Sequence, residues 1–127
     1  MERVLTLAAA AVLLPGCAGE LPDLDGVWVK PGAPVPFRLD IEGRRWALDS
    51  GGLRKEGVFD LTERRIAFVL EKTNTPAFDL YCRDAVDVYR WSLQEGRLSM
   101  RAVERTCDRA AHAVLTSGSW VRRASGA

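Results

Sequence analysis

The sequence has little of what several large classes of protein require. It contains one histidine, and no apolar run approaches the roughly 18 residues that a membrane-spanning helix needs. The 18 Lys and Arg residues are balanced by 17 Asp and Glu residues, so the net charge of +1 lacks the basic excess typical of nucleic-acid-binding proteins. A chain of 127 residues allows one domain and hardly more. We therefore expect a single domain that has no nucleic-acid partner.

Catalytic and metal-binding motifs are missing as well. The sequence has no Gly-x-Ser-x-Gly elbow, no His-Glu-x-x-His pair and no glycine-rich phosphate loop. His112 lies in an alanine-rich segment, where a lone histidine is more often a surface or structural residue than a catalytic base. The sequence predicts no catalytic residue, no metal site and no cofactor. It favours a protein that is not an enzyme, although carboxylates that meet only in the folded chain leave an enzyme open.

The first residues have the pattern of an export signal. Arg3 supplies a positive charge, and the stretch from Val4 to Leu14 carries no charged side chain. Such a stretch matches the apolar core of a signal peptide and is too short to cross a bilayer as a stable helix. We therefore predict a signal peptide over residues 1–16 that is removed from the mature protein.

A cysteine follows this signal directly. The sequence Leu14-Pro15-Gly16-Cys17 resembles the lipobox of bacterial lipoproteins, with leucine three positions before the cysteine and a small residue next to it. The resemblance implies that Cys17 becomes the N-terminal residue, with diacylglycerol on its thiol and a further acyl chain on its amine. Two acyl chains already anchor a protein stably to a membrane. The alternative is an ordinary secretory signal with an incidental cysteine.

The lipobox resemblance also implies a location and a partner. The chain would be anchored in the cell envelope with the membrane as its partner. Because Ala18 rather than aspartate follows the cysteine, the periplasmic face of the outer membrane is expected if the host is Gram-negative. Residues 17–25, with Gly19, Pro22 and acidic side chains, are typical of a short, solvated tether.

Alternation of apolar and polar residues dominates the rest of the sequence. From Phe37 to Glu42 every second residue is apolar, which is the pattern of a half-buried β-strand. Similar segments recur at intervals of roughly 8–12 residues and are separated by turn signals, such as Ser-Gly-Gly at 50–52 and Glu-Gly at 95–96. About eight short strands with this spacing are typical of a sandwich or an up-and-down barrel.

One segment departs from the alternation. The alanine-rich stretch at 108–115 is the single candidate for a short helix. We predict an all-β domain over residues 26–123, a small antiparallel up-and-down β-barrel of about eight strands. Residues 124–127 are expected to form a flexible tail.

The odd number of cysteines has a simple resolution. If Cys17 carries lipid, Cys82 and Cys107 remain as a pair, and export places them in an oxidising compartment where a disulfide persists. Closing a loop of about 26 residues would stabilise the fold by about 3.5 kcal/mol in the chain-entropy model. The alternatives are a metal site, for which His112 alone is too little, and a redox role, which requires a lowered thiol pKa.

The start of the first predicted strand resembles a known family. Gly26-Val27-Trp28 is similar to the Gly-x-Trp signature of lipocalins and their calycin relatives, in which the tryptophan closes one end of an antiparallel barrel. In that family a basic residue of the last strand packs on the tryptophan. The resemblance implies that Gly26, Trp28 and Arg122 close this barrel, with the Arg122 guanidinium stacked on the Trp28 ring.

The aromatic residues leave two functions open. Trp46, Phe68, Tyr89 and Trp91 are expected to face the interior, where they either line a pocket for a small apolar or amphipathic ligand or fill the core. The first hypothesis is a lipocalin-like binding protein. The alternative is a filled barrel that acts through its surface, as an envelope scaffold or an inhibitor of an exported enzyme, with an envelope protein as partner. A void of several hundred Å³ lined by these aromatics would favour the first.

Arginine pairs at 44–45, 64–65 and 122–123 lie at the ends of predicted strands. They are expected to be solvated. A lipid-facing basic rim is the alternative, because the tether would hold the domain near a membrane surface.

Overall fold

A computed structural model describes residues 20–33, 36–75, 82–104 and 106–123. The predicted signal peptide at 1–16, the lipidation site Cys17 and the tail at 124–127 lie outside the described residues.

Eight β-strands and one helix make up the described chain. In order they are β1 (Gly26–Val29), β2 (Phe37–Glu42), β3 (Arg45–Ser50), β4 (Leu53–Leu61), β5 (Arg65–Thr73), β6 (Val86–Gln94), β7 (Arg97–Ala102), α1 (Arg109–Thr116) and β8 (Trp120–Arg122). The helix is shifted by one residue towards the C-terminus relative to the predicted segment at 108–115.

The strands form one closed antiparallel barrel. Each strand pairs with the next strand in the chain, including β7 with β8, which are separated by α1. Strand β8 also pairs with β1 and so closes the barrel. Closure leaves no unpaired sheet edge, which is how small all-β domains avoid edge-to-edge aggregation. The predicted fold, an up-and-down barrel of eight strands with one short helix, is confirmed.

Strand β4 extends further towards the N-terminus than the alternation indicated. Apolar side chains predict a strand only from Val58, because the interior positions before it are occupied by Lys55 and Gly57. Gly57 is required by its surroundings, since a Cβ at this position would collide with the carbonyl oxygen of Val69 on β5. The ladder between the two strands shifts register between Glu56 and Gly57, as at a β-bulge.

Helix α1 covers one end of the barrel, which we call the helix rim. The helix begins after Asp108, whose carboxylate Oδ1 accepts a hydrogen bond from the Ala111 backbone N at 3.0 Å and so caps the first turn. Ala111 and Leu115 are buried on the inward face of the helix. The Ser50–Leu53 turn lies beside the helix at this rim.

The opposite end, which we call the N-terminal rim, is covered by residues 20–25. Leu24 is only 3% exposed and belongs to the main hydrophobic core. Its carbonyl oxygen accepts a hydrogen bond from Trp28 Nε1 at 2.9 Å, and Asp25 Oδ1 accepts one from the Gly43 backbone N at 2.8 Å. Leu24 therefore packs on the barrel just before the first strand, whereas Glu20, Leu21, Asp23 and Asp25 are exposed.

Candidate functional site

The aromatic side chains predicted to line a ligand site pack mainly on one another. Trp46, Phe68 and Tyr89 are buried in the barrel. The Phe68 ring centroid lies 5.3 Å from that of Trp46 and 5.7 Å from that of Tyr89, both in edge-to-face geometry. Phe59 adds a fourth ring, 6.2 Å from Phe68. These four rings form one aromatic cluster within the hydrophobic core.

Trp91 is placed differently from the other three. It is only half-buried, and its Nε1 donates a hydrogen bond to the Thr62 carbonyl oxygen at 2.9 Å. The residue borders a depression that opens to solvent. Of the four residues predicted to line a ligand site, the fold therefore brings three together in the core and leaves Trp91 near the surface.

Two small spaces lie within the barrel and under its helix. One, of about 20 Å³, lies among Trp46, Tyr89 and the carboxylates of Asp87 and Asp108. Another, of about 70 Å³, lies beneath α1 beside Lys55. A pocket for a drug-sized ligand occupies roughly 300–1,000 Å³, so neither space admits such a molecule.

The seam between β1 and β8 is built from two tryptophans with a cation on each. Arg122 lies opposite Trp28 in the ladder, and its guanidinium carbon is 4.6 Å from the centre of the Trp28 ring. A Cβ at Gly26 would come within 3.2 Å of the Arg122 side chain. Lys30 Nζ lies 4.8 Å from the Trp120 ring centre in the same manner, and partial burial lowers the pKa of this lysine. The sequence indicated the first of these contacts but not the second.

The predicted Cys82–Cys107 disulfide is confirmed, with the two Cα atoms 5.7 Å apart. It joins the segment before β6 to the segment before α1. Asp87 strengthens the same junction, because its carboxylate accepts a hydrogen bond from the Cys107 backbone N at 2.9 Å. Among the described residues, no group of three His, Cys, Asp or Glu side chains is arranged to hold a metal ion.

A buried ion pair is the main interior feature that sequence reasoning missed. Lys55 Nζ lies 2.6 Å from Asp108 Oδ2, and the two side chains are 4% and 5% exposed. The available signal was spacing, since Lys55 lies two and four positions before the interior residues Gly57 and Phe59. A charge in phase with core residues indicates a buried partner, but the identity of that partner depends on how the helix folds back.

Tyr89 and His112 lie next to this ion pair. Their rings are stacked with centroids 6.1 Å apart. Among the described residues, neither Tyr89 Oη nor His112 Nδ1 has a hydrogen-bond partner. Burial raises the pKa of the Tyr89 phenol well above its usual value, and the nearby carboxylates of Asp87 and Asp108 raise it further. Tyr89 is almost fully buried, whereas His112 is half-buried on the helix.

Two larger depressions lie on the outside of the barrel. One, of about 380 Å³, is on the outer face of the β6–β7 hairpin and is lined by Arg90, Trp91, Ser92, Ser99, Met100 and Arg101. The other, of about 300 Å³, is at the N-terminal rim between residues 21–25 and the ends of β4 and the β2–β3 turn.

The three arginine pairs all reach the N-terminal rim, where β1, β3 and β5 begin and β8 ends. Arg44 forms an ion pair with Asp60, and Arg45 forms one with Glu71. Because acidic side chains accompany the arginines there, this rim is not a uniformly basic surface.

Comparison with protein-family models, with curated proteins and with solved structures finds no match to this chain. Within the described residues, no helix has the length and apolar character that crossing a membrane requires.

Proposed function

We propose that this chain is a lipid-anchored cell-envelope protein whose filled β-barrel acts through its outer surface, as a scaffold or as an inhibitor of an exported enzyme. The observation that carries the proposal is the packed interior. The spaces found inside the barrel and under its helix, about 20 and 70 Å³, are far smaller than a pocket for a small-molecule ligand. The larger depressions are on the outside, where a partner could reach them.

The packing also weighs against a lipocalin-like ligand site. Trp46, Phe68 and Tyr89 contact one another through their ring edges, so each ring occupies the volume that a ligand would need. Interiors packed in this way do not open without displacing aromatic side chains, which carry much of the burial energy of a small core. Both rims are covered as well, by Leu24 on one side and by α1 on the other.

The fold suits an anchor at Cys17. Only three peptide units separate Cys17 from Glu20, where the described chain begins, and the next residues pack on the N-terminal rim. Three extended residues span about 10 Å at most. A lipid on Cys17 would therefore hold the N-terminal rim against the membrane and direct the helix rim away from it.

The anchor is tested by mass spectrometry of the protein from membranes of its own host. We expect a chain that begins at Cys17 and carries acyl groups. Cys17→Ser should remove the acyl groups and release the protein, whereas the neighbouring Ala18→Ser should leave both unchanged. A soluble chain without acyl groups in the unsubstituted protein would overturn the anchor.

The surface role is tested by native mass spectrometry of the same preparation. We expect the protein mass plus its acyl groups and nothing further. A small apolar molecule retained at one copy per chain, and lost when Phe68 is changed to Trp, would overturn the filled-barrel proposal and favour internal ligand binding.

A further inference from the structure

Three arginines form a row across the outer face of the barrel. Arg65 on β5 is directly opposite Arg90 on β6, and Arg90 is directly opposite Arg101 on β7. All three are exposed. Residues directly opposite in an antiparallel ladder have Cα atoms about 4.5–5.5 Å apart, so three guanidinium groups are held on neighbouring strands by the register alone.

This arrangement costs stability that the described residues do not offset. Like charges directly opposite one another in a sheet are destabilising. Some other arginines of the sheet, in contrast, have acidic partners: Arg38 with Asp40 at 2.7 Å, and Arg45 with Glu71 at 3.1 Å. Among residues 20–33, 36–75, 82–104 and 106–123, no carboxylate forms an ion pair with any arginine of the row.

Two arginines of the row line a depression of suitable size and chemistry, and Arg65 is the next residue of the row. Arg90 and Arg101 line the cavity of about 380 Å³ on the outer face of the β6–β7 hairpin. Ser92 and Ser99, which are directly opposite each other two residues along the ladder, line the same cavity and add hydroxyl donors. One open recess thus contains two positively charged guanidinium groups, each with several N–H donors, and two hydroxyl groups.

We propose that this recess is a binding site for a phosphoryl group. Guanidinium groups bind phosphate oxygens through paired, charge-assisted hydrogen bonds, and a group with two negative charges would neutralise the repulsion within the row. The group can come from a free phosphate or from the headgroup of a phospholipid, since both present the same oxygens. This inference rests on the proposed surface role, for which it names the chemistry of the ligand. The recess itself does not depend on the lipid anchor.

The test uses the processed protein purified in an uncharged detergent and follows the arginine Nε–Hε signals by NMR. Inorganic phosphate is added at constant ionic strength against sodium chloride. We expect saturable shifts of a small set of arginine signals with phosphate and none with chloride. In the double variant Arg90→Gln/Arg101→Gln, and to a lesser degree in Arg65→Gln, binding should weaken by at least about tenfold.

A control variant with the same change in net charge distinguishes phosphate binding in the recess from general attraction by the charge of the protein. Arg38→Gln/Arg54→Gln also removes two positive charges from outward positions of the sheet, but away from the row. It should keep phosphate binding within about twofold of the unsubstituted protein, because screening leaves little long-range attraction. Equal loss in both double variants would show non-specific charge attraction and would overturn the proposal.

The source of the phosphoryl group is distinguished with mixed micelles that contain phosphatidylglycerol or, as a control, phosphatidylcholine. Shifts with inorganic phosphate alone assign a soluble ligand, and shifts with phosphatidylglycerol assign a lipid headgroup. Absence of saturable shifts with either probe overturns the proposal. Acylation of Cys17 is read from the mass spectrum of the same sample, so a missing anchor and a missing phosphoryl site are separate results.

Discussion

Lys55 and Asp108 form an ion pair inside the barrel, with Nζ and Oδ2 2.6 Å apart and both side chains almost fully enclosed. The pair links strand β4 to the first turn of α1, because the other oxygen of Asp108 caps the helix. Helix α1, which covers the helix rim, is therefore held to the barrel wall by a contact between residues 53 positions apart.

Removing only the lysine of this pair should lower the free energy of unfolding more than removing both charges does. Lys55→Met leaves the Asp108 carboxylate buried without its ammonium partner, and we expect a loss of about 3–5 kcal/mol in the free energy of unfolding. Asn is also a good N-cap, so Lys55→Met/Asp108→Asn should be more stable than Lys55→Met alone. Urea unfolding followed by circular dichroism measures both. The exposed Lys72→Met serves as control and should stay within about 0.5 kcal/mol. A Lys55→Met variant as stable as this control would show that the pair contributes nothing.

Gly57 should not tolerate a side chain. A Cβ at this inward position would collide with the Val69 carbonyl oxygen, and backbone cannot yield as a flexible side chain can. We expect Gly57→Ala to lose about 3 kcal/mol or more, whereas Val58→Ala, on the outward face one residue along, should lose at most about 1 kcal/mol. Thermal unfolding distinguishes the two variants, and similar melting temperatures would contradict the close approach.

The cation on Trp28 is expected to stabilise the seam of the barrel. Arg122 also donates from Nη2 to the Asp23 carbonyl oxygen at 2.8 Å, which holds the N-terminal segment in place. We expect Arg122→Gln to cost about 0.5–2 kcal/mol. Arg123→Gln removes the same charge one residue later and should have almost no effect. Equal stability of the two variants in urea would assign no role to the ring contact.

Tyr89 should make stability depend on pH in the alkaline range. Because burial raises its pKa, the unfolded chain loses the phenolic proton at a lower pH than the native protein. Below the unfolded pKa of about 10, the Tyr89 phenol makes its full contribution to the free energy of unfolding. Above that pH, the free energy of unfolding falls by up to about 1.4 kcal/mol per pH unit. Tyr89→Phe should remove this fall. At pH 7 the variant should match the unsubstituted protein or gain up to about 1 kcal/mol, since a hydroxyl without a described partner is lost. Urea titrations at neutral and alkaline pH give the comparison, and an unchanged alkaline slope would contradict the assignment.

Reduction of the disulfide should weaken the protein measurably. The Cys82–Cys107 bond spans 25 positions, and its loss is expected to cost about 3–4 kcal/mol. The melting temperature should fall on addition of a reductant. The Cys82→Ser/Cys107→Ser variant should melt at the lower temperature whether or not reductant is present. A variant that still responds to reductant would place the redox effect elsewhere.

Much of the fold follows from local pattern. Alternating side chains such as those of Phe37–Glu42 have the period of a strand, and glycines at the turns adopt backbone angles that other residues avoid. The helix has a local signal too, because an aspartate stands just before an alanine-rich stretch. Even the cysteine pairing could be inferred, since once Cys17 is set aside only two cysteines remain.

Local pattern could not show what depends on which strands become neighbours. In the sequence, Lys55 is a polar residue that interrupts the apolar pattern of its strand. Its burial is stabilised by the Asp108 carboxylate, which reaches it only because α1 packs against the barrel. Arg65, Arg90 and Arg101 are unremarkable outward residues in their own strands, and only the register of two ladders aligns them. The sequence by itself determined the period of the strands, their number and their turns, because these depend on neighbours in the chain. The tertiary structure alone decided which aromatic rings pack together in the core and where the charges meet, because packing and register join residues far apart in sequence.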